Sequence, residues 1–168
     1  MSFQFSPKPQ QKIICFLDIN HRKPLTYKDK LVSKKPVELK LPSRLESIDK
    51  AVAEAIKFAS AIGMADDALY AIDMAMRESV ANAVKHGNKL DETKRVEITF
   101  EGSDKGFEIT VRDFGAGFAV EAIPDPTNPE NLLKANGRGI LFMRSFMDEV
   151  KWFNHADGGM MVKMLKKR

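Results

Sequence analysis

Arg112-Asp113-Phe114-Gly115-Ala116-Gly117-Phe118 is where the pattern of the chain changes: the alternation of a strand stops at Arg112, and a carboxylate follows with two glycines one residue apart. A Cβ at Gly115 or Gly117 would restrict how closely backbone approaches a flat ligand, so the stretch suits the rim of a cleft. It is answered by Asn136-Gly137-Arg138-Gly139-Ile140, which opens a segment reading as a helix from Gly137 to Glu149. Free N–H groups and the positive end of the dipole at such a helix start favour phosphate. A flat base at one end and phosphates at the other describe a nucleotide, and that is the first functional expectation.

Outward from this stretch the chain reads as alternating strands and helices. Val96, Ile98 and Phe100 alternate with Glu97, Thr99 and Glu101, a turn spans Gly102 to Gly106, and Phe107, Ile109 and Val111 resume the alternation. That predicts a hairpin of Lys94–Glu101 with Phe107–Arg112, and puts Asp113 at a strand end. Downstream, Ala119 to Asn136 holds Pro124, Pro126 and Pro129 and no strong period, the character of a lid or binding loop. The third helix carries Ile140, Met143, Met147 and Val150 as its inner stripe. Closing strands near Val150–Asn154 and Met160–Leu165 turn at Asp157-Gly158-Gly159.

Upstream, Val37, Leu39 and Leu41 alternate with Glu38 and Lys40 until Pro42, a half-buried strand. Ser43 and Glu46 have the spacing of a capping box. Leu45, Ile48, Val52, Ala55, Ala59 and Ile62 then form an apolar face, and Gly63 marks the end. Asp66 or Asp67 caps a second helix running to about His86, with Gly87 in the place of a left-handed closing residue. Its apolar stripe is Leu69, Ile72, Met76, Val80 and Ala83. Glu78 and Asn82 lie one turn apart on another face, among Ala71, Met74, Ala75 and Ala81. Face geometry leaves two readings open: polar residues at a helix surface, or a carboxylate and an amide aimed into a cleft.

Composition bounds the rest. A chain of 168 residues with 43% apolar and 30% charged residues is long enough for one soluble domain with a sizeable core. The apolar run Ile13–Leu17 is five residues, far short of the roughly 18 that suggest a membrane span. No signal peptide is visible, and a lone Cys15 can form no internal disulfide, so a cytoplasmic protein is expected. The net charge of +4 is unevenly placed: residues 1–36 carry eight Lys/Arg against two Asp/Glu, and Lys166-Lys167-Arg168 ends the chain, leaving an acidic body. Charge confined to chain ends reads as solvated tails, so no direct nucleic-acid binding is expected. Residues 1–36 read as a basic extension with one possible strand, Lys12–Ile19, and residues 37–168 as the domain. His21, His86 and His155 are too scattered for metal-ligand spacing.

Taken together, Glu78-Ser79-Val80-Ala81-Asn82-Ala83-Val84-Lys85-His86-Gly87, then Asp113-x-Gly115-x-Gly117-Phe118, then Gly137-Arg138-Gly139-Ile140 resemble the three boxes of the GHKL ATPase superfamily. The resemblance is closest to small anti-sigma-factor serine kinases of the RsbW type, and extends to Met147-Asp148-Glu149-Val150. It covers about Val37 to Leu165. It implies a two-layer α/β sandwich with a mixed, largely antiparallel sheet and helices on one face, binding ATP and Mg²⁺ under a lid, here Ala119 to Asn136. Carried over by position, it puts Asp113 at the adenine amino group with Gly115 and Gly117 beside the base, Asn82 on Mg²⁺, and Gly137 and Gly139 at the phosphates. Glu78 becomes the general base toward a substrate serine, and Arg138 either stabilises charge at the phosphates or holds the lid. The implied function is an ATP-dependent protein serine kinase that sequesters a sigma factor and phosphorylates an antagonist (anti-anti-sigma) protein, plausibly as a homodimer, with no membrane role. The same pocket would also suit a kinase with another protein target. One departure is Gly159-Met160, where the family has Gly-Thr: methionine donates no hydrogen bond. It motivates an alternative from a different class, a non-catalytic partner-binding regulator that is nucleotide-responsive or nucleotide-free.

Overall fold

The computed structural model describes residues 35–117 and 138–168, residue 138 by its backbone. Five strands form one sheet: β1 (Val37–Pro42), β2 (Arg95–Ser103), β3 (Gly106–Arg112), β4 (Glu149–Asn154) and β5 (Met160–Lys167), in the order β1-β2-β3-β5-β4. The expected α/β sandwich is present, and among the described residues every strand pairing is antiparallel. Alternation sets the register. Ile98 pairs with Val111 and Phe100 with Ile109, so the apolar set of both strands falls on one face, while Glu97, Thr99, Glu108 and Thr110 fall on the other. The hairpin is tighter than the sequence suggests. Ser103 pairs with Gly106, so Gly102 and Ser103 belong to the ladder and only Asp104-Lys105 turn.

Two helices, α1 (Glu46–Ala61) and α2 (Asp66–Asn82), cover the apolar face. The rings of Phe58 on α1 and Phe107 on β3 stack with centroids 5.4 Å apart, and Phe100 lies 6.0 Å from Phe58. Each such buried ring contributes about 1.5–3 kcal/mol by removal from water, so this trio anchors helix to sheet. The capping box expected of Ser43 and Glu46 does not form. The Ser43 amide is drawn into the sheet, donating to Lys94 O at 3.2 Å, and the helix starts at Glu46 without a side-chain cap. Its first turn closes through Ser47 N–H to Arg44 O (3.1 Å) and Ile48 N–H to Leu45 O (3.0 Å), while Ser47 Oγ donates to Pro42 O at 2.7 Å. Leu45 consequently lies outside the apolar face and is exposed. At the other end Gly63 closes the helix as expected, with Gly63 N–H on Ser60 O (3.0 Å) and Met64 N–H on Ala59 O (3.1 Å).

The expectation for the end of α2 needs correction. The helix does not run in α form to His86; after Asn82 it widens into a π-helical turn, Ala83–Gly87, with Asn88 N–H donating to Ala83 O at 2.7 Å. Gly87 is not left-handed. The reversal falls on Lys89 and Leu90, at φ 57° and 58°, a conformation costing a side-chain-bearing residue about 1–2 kcal/mol. It is held by Leu90 N–H on Val84 O at 2.8 Å.

A third helix, α3 (Arg138–Phe146), is shorter than the expected Gly137–Glu149. The C-terminal strand captures its end. Lys166 Nζ donates to Phe146 O at 3.0 Å, Asp148 N–H to Leu165 O at 2.9 Å, and the Lys167 amide to Asp148 Oδ2 at 2.8 Å. Met143 and Met147 are buried as expected, but Val150 belongs to β4. Lys166 and Lys167 are therefore fastened to β5, not part of a solvated tail. The expected Lys12–Ile19 strand, the Ala119–Asn136 lid and Gly137 lie outside the described residues. Among the described residues no helix is long and apolar enough to cross a membrane.

The Asp148 carboxyl is held below the usual carboxylate range, chiefly by the Lys167 amide, which outweighs the opposing effect of partial burial; the nearby lysine charges add to it. A carboxyl so depressed contributes stability that is complete above its unfolded pKa of about 4 and fades as pH falls through its folded value. Asp148→Asn should therefore lower stability at pH 7, by less than about 1 kcal/mol given solvent screening, because 34% of the side chain is exposed. The gap between variant and wild type should narrow as pH is lowered below about 4 and through the folded value, as urea denaturation over a series of acid pH values would measure.

Candidate active site

A cavity of about 620 Å³ opens between α2, α3 and the ends of β3 and β5, within the size range of small-molecule sites. Residues from all three sequence boxes line it. Glu78 and Asn82 come from α2, Asp113 and Gly117 from the end of β3 and the turn beyond, and Gly139 from the first turn of α3. Val111, Ile140, Met143, Trp152, Met160 and Val162 form the apolar part of its wall, and the polar side chains of His86 and Lys89 stand beside them. A polar strip on one helix facing an apolar wall with a carboxylate at its base suits an amphipathic ligand: a flat apolar part near Asp113 and a polar part along Glu78 and Asn82.

Asp113 is buried and fixed. Its Oδ1 accepts N–H groups from Gly115 at 2.8 Å and Met160 at 3.2 Å, and its own N–H donates to Met160 O at 3.0 Å. Burial of a carboxylate is tolerable because backbone donors satisfy it. Its other flank lies on Gly87: a Cβ there would overlap the Asp113 carboxyl group, and a Cβ on Gly115 would overlap the Gly87 carbonyl. Gly115 is thus a packing glycine beneath the cavity, whereas Gly117, at φ 70°, lines it. The turn after Asp113 is pinned from two sides. Phe114 N–H donates to Asn88 Oδ1 at 2.7 Å, and its ring lies 4.4 Å from the Arg112 guanidinium and 4.9 Å from that of Arg95.

Glu78 and Asn82 are half-buried and both face the cavity. The Glu78 carboxylate lies against the backbone of Gly139, where any Cβ would collide with it. Gly139 therefore lets the start of α3 sit directly over Glu78. Gly137 and the Arg138 side chain lie outside the described residues. Among the described residues no cluster of three or more His, Cys, Asp or Glu could hold a metal ion. A Mg²⁺ ion that takes most of its ligands from phosphate and water needs no such cluster, and the Asn82 amide oxygen suffices as a single protein ligand.

Four residues that sequence reasoning did not place in the site are part of it. Trp152, Lys89 and His86 line the cavity. Asn88 is completely buried, bridging Phe114 N–H and, through Nδ2, Arg95 O at 2.9 Å. His86 stands inside the first box, where its place at the end of the helix could have marked it; no short-range signal marks Asn88, Lys89 or Trp152.

A model of the histidine kinase-like ATPase domain matches residues 41–166. Similar proteins include the serine-protein kinase RsbW of Bacillus licheniformis, 30% identical over 136 residues that cover 77% of this chain and 84% of the relative. RsbW of Oceanobacillus iheyensis is 27% identical over 136 residues, covering 77% and 85%. The anti-sigma F factor of Clostridium perfringens is 35% identical over 100 residues, covering 57% and 70%. Among solved structures, the RsbU and RsbW domains of a Mycobacterium tuberculosis protein share the fold with a TM-score of 0.57 at 16% identity; the match covers 80% of this chain and 32% of that longer one.

If the contact between Gly87 and Asp113 governs this corner, Gly87→Ala should destabilise the protein by about 1–3 kcal/mol, the usual cost of overpacking. In an Asp113→Ala background the same change should cost markedly less. Denaturation of the four proteins completes the cycle, and an equal cost in both backgrounds would show that the contact is not the cause.

Proposed function

Because the chain belongs to the histidine kinase-like ATPase domain family, on its RsbW-type branch, we propose that it is an ATP-dependent protein serine kinase acting as an anti-sigma factor. In this reading residues 37–168 form the kinase domain and residues 1–36 a basic extension. The protein works in the cytoplasm, as a homodimer, where it sequesters a sigma factor and phosphorylates an antagonist protein. One observation carries the proposal: Glu78 and Asn82, one turn apart on α2, share a cavity with the Asp113 carboxylate.

Each residue then has a chemical task. Asp113, which lines the cavity, accepts a hydrogen bond from the adenine amino group, and Gly117 keeps the rim low enough for the ring. Met143, Trp152 and Met160 exclude water from the ring. Asn82 holds Mg²⁺ through its amide oxygen; the ion, when bound, offsets charge on the phosphate oxygens. Gly137 and Gly139 admit the phosphates at the start of α3, and Arg138 adds positive charge beside them. Glu78 takes the proton of the substrate serine hydroxyl as that oxygen bonds to the γ-phosphorus. The bond from phosphorus to the bridging oxygen breaks in the same displacement, leaving ADP and phosphoserine.

Met160 favours a second reading. It is buried against the cavity and supplies no hydroxyl to the base region, as expected of a partner-binding module whose pocket sets conformation without turnover. Glu78→Gln separates the two. For a kinase, transfer from γ-labelled ATP to the antagonist's serine should fall by about 10²–10⁴-fold, with ATP affinity by calorimetry within about twofold of wild type. Absence of phosphoserine formation by a wild type that binds MgATP tightly would remove the kinase reading. Unchanged partner release in Glu78→Gln would then support the second.

A further inference from the structure

The chain reversal after the π-helical turn contains a lysine in a conformation that lysine rarely adopts. Lys89 sits at φ 57° and is followed by Leu90 at φ 58°, positions where glycine or asparagine is the usual occupant. The surrounding structure enforces this conformation from two sides. Leu90 N–H is tied back to Val84 O at 2.8 Å, and the buried Asn88 side chain is bonded both to Arg95 O and to Phe114 N–H. Strain maintained in this way concentrates at functional sites. Here it delivers Lys89 to the cavity rim: Lys89 lines the same cavity as Glu78, Asn82 and Asp113. Among the described lining residues it is the one permanent cation, set against the two carboxylates of Glu78 and Asp113. Its ammonium group makes no hydrogen bond or ion pair with any described residue.

We propose that Lys89 is a phosphate-binding residue of this site, its ammonium held at the cavity rim by the left-handed turn to meet an oxygen of the nucleotide's phosphate chain. The proposal rests on the nucleotide reading above and extends it to a residue outside the three sequence boxes. The chemistry follows from the charges. A cavity whose described walls carry two carboxylates and one cation would repel a polyphosphate more strongly without that cation. A lysine on a flexible stem supplies a point charge without demanding a fixed approach. Lys89 is exposed at the cavity rim, so its charge reaches a ligand there without the cost of burying an ammonium group.

Calorimetric titration of the full chain with MgATP and, separately, with adenosine tests this for wild type, Lys89→Gly, Lys89→Gln and Lys89→Arg. Lys89→Gly removes the charge while relieving the backbone, so the fold is not put at risk, and urea midpoints verify that. The expected result is a loss of MgATP affinity of about tenfold in Lys89→Gly and Lys89→Gln, with adenosine affinity within about twofold of wild type and most of the MgATP affinity kept in Lys89→Arg. Equal MgATP affinity in wild type and Lys89→Gly overturns the proposal. So does a parallel loss of MgATP and adenosine, which would mean that Lys89 merely shapes the turn. A wild type that binds neither ligand removes the nucleotide reading itself, and this proposal with it.

Discussion

The end of α2 and the end of β3 meet because Gly87 carries no side chain where the Asp113 carboxyl group lies, and Gly115 carries none where the Gly87 carbonyl lies. The rest of the candidate site depends on that double contact. It brings a helix bearing Glu78 and Asn82 alongside a strand end bearing Asp113, and so creates a cavity where two ordinary elements would have left a packed seam. The carboxylate tolerates its burial because Gly115 and Met160 direct N–H groups at it. Asn88 and the two arginines flanking Phe114 then fix the turn beyond.

Stability comes from elsewhere. The rings of Phe58, Phe100 and Phe107 lie within about 6 Å of one another at the junction of α1 and the sheet, as their centroid separations of 5.4, 5.6 and 6.0 Å show. At the surface, Arg77 joins Asp73 and Asp49 at 2.7 Å each and links α1 to α2. Its pKa is raised above its ordinary value, first by the Asp73 hydrogen bond and then by that to Asp49. Exposed pairs of this kind are worth about 0–1 kcal/mol, less than one buried ring at about 1.5–3 kcal/mol. The aromatic trio stands apart from the cavity, but Ala83, Val111, Met143, Met160 and Val162 belong both to the core and to the cavity wall, so changes at those positions would be felt as core substitutions.

Periodicity made most of the fold legible, because alternation in Val96–Phe100 and Phe107–Val111 and the three-four spacing in α1 and α2 are local signals of burial. The misread parts were decided by partners distant in the chain. Ser43 has the sequence of a helix cap, but Lys94 draws its amide into the sheet. Gly87 has the position of a helix terminator, but its lack of a side chain serves the approach of Asp113. The third helix ends early because Lys166 and Lys167, which read as a loose tail, bind Phe146 O and Asp148. In the candidate site the same rule applies: Glu78, Asn82, Asp113, Gly117 and Gly139 stand in recognisable boxes, whereas Lys89 and Trp152 reach the cavity, and Asn88 pins the turn beside it, only through tertiary structure.

Trp152 is the sole tryptophan of the chain; it lies in the cavity wall, with the Arg144 guanidinium 5.2 Å from its ring. Indole emission responds to nearby charge and to water, and both change when a molecule occupies that space. The protein thus carries its own optical gauge of cavity filling, with no second indole to dilute the signal and no label to attach.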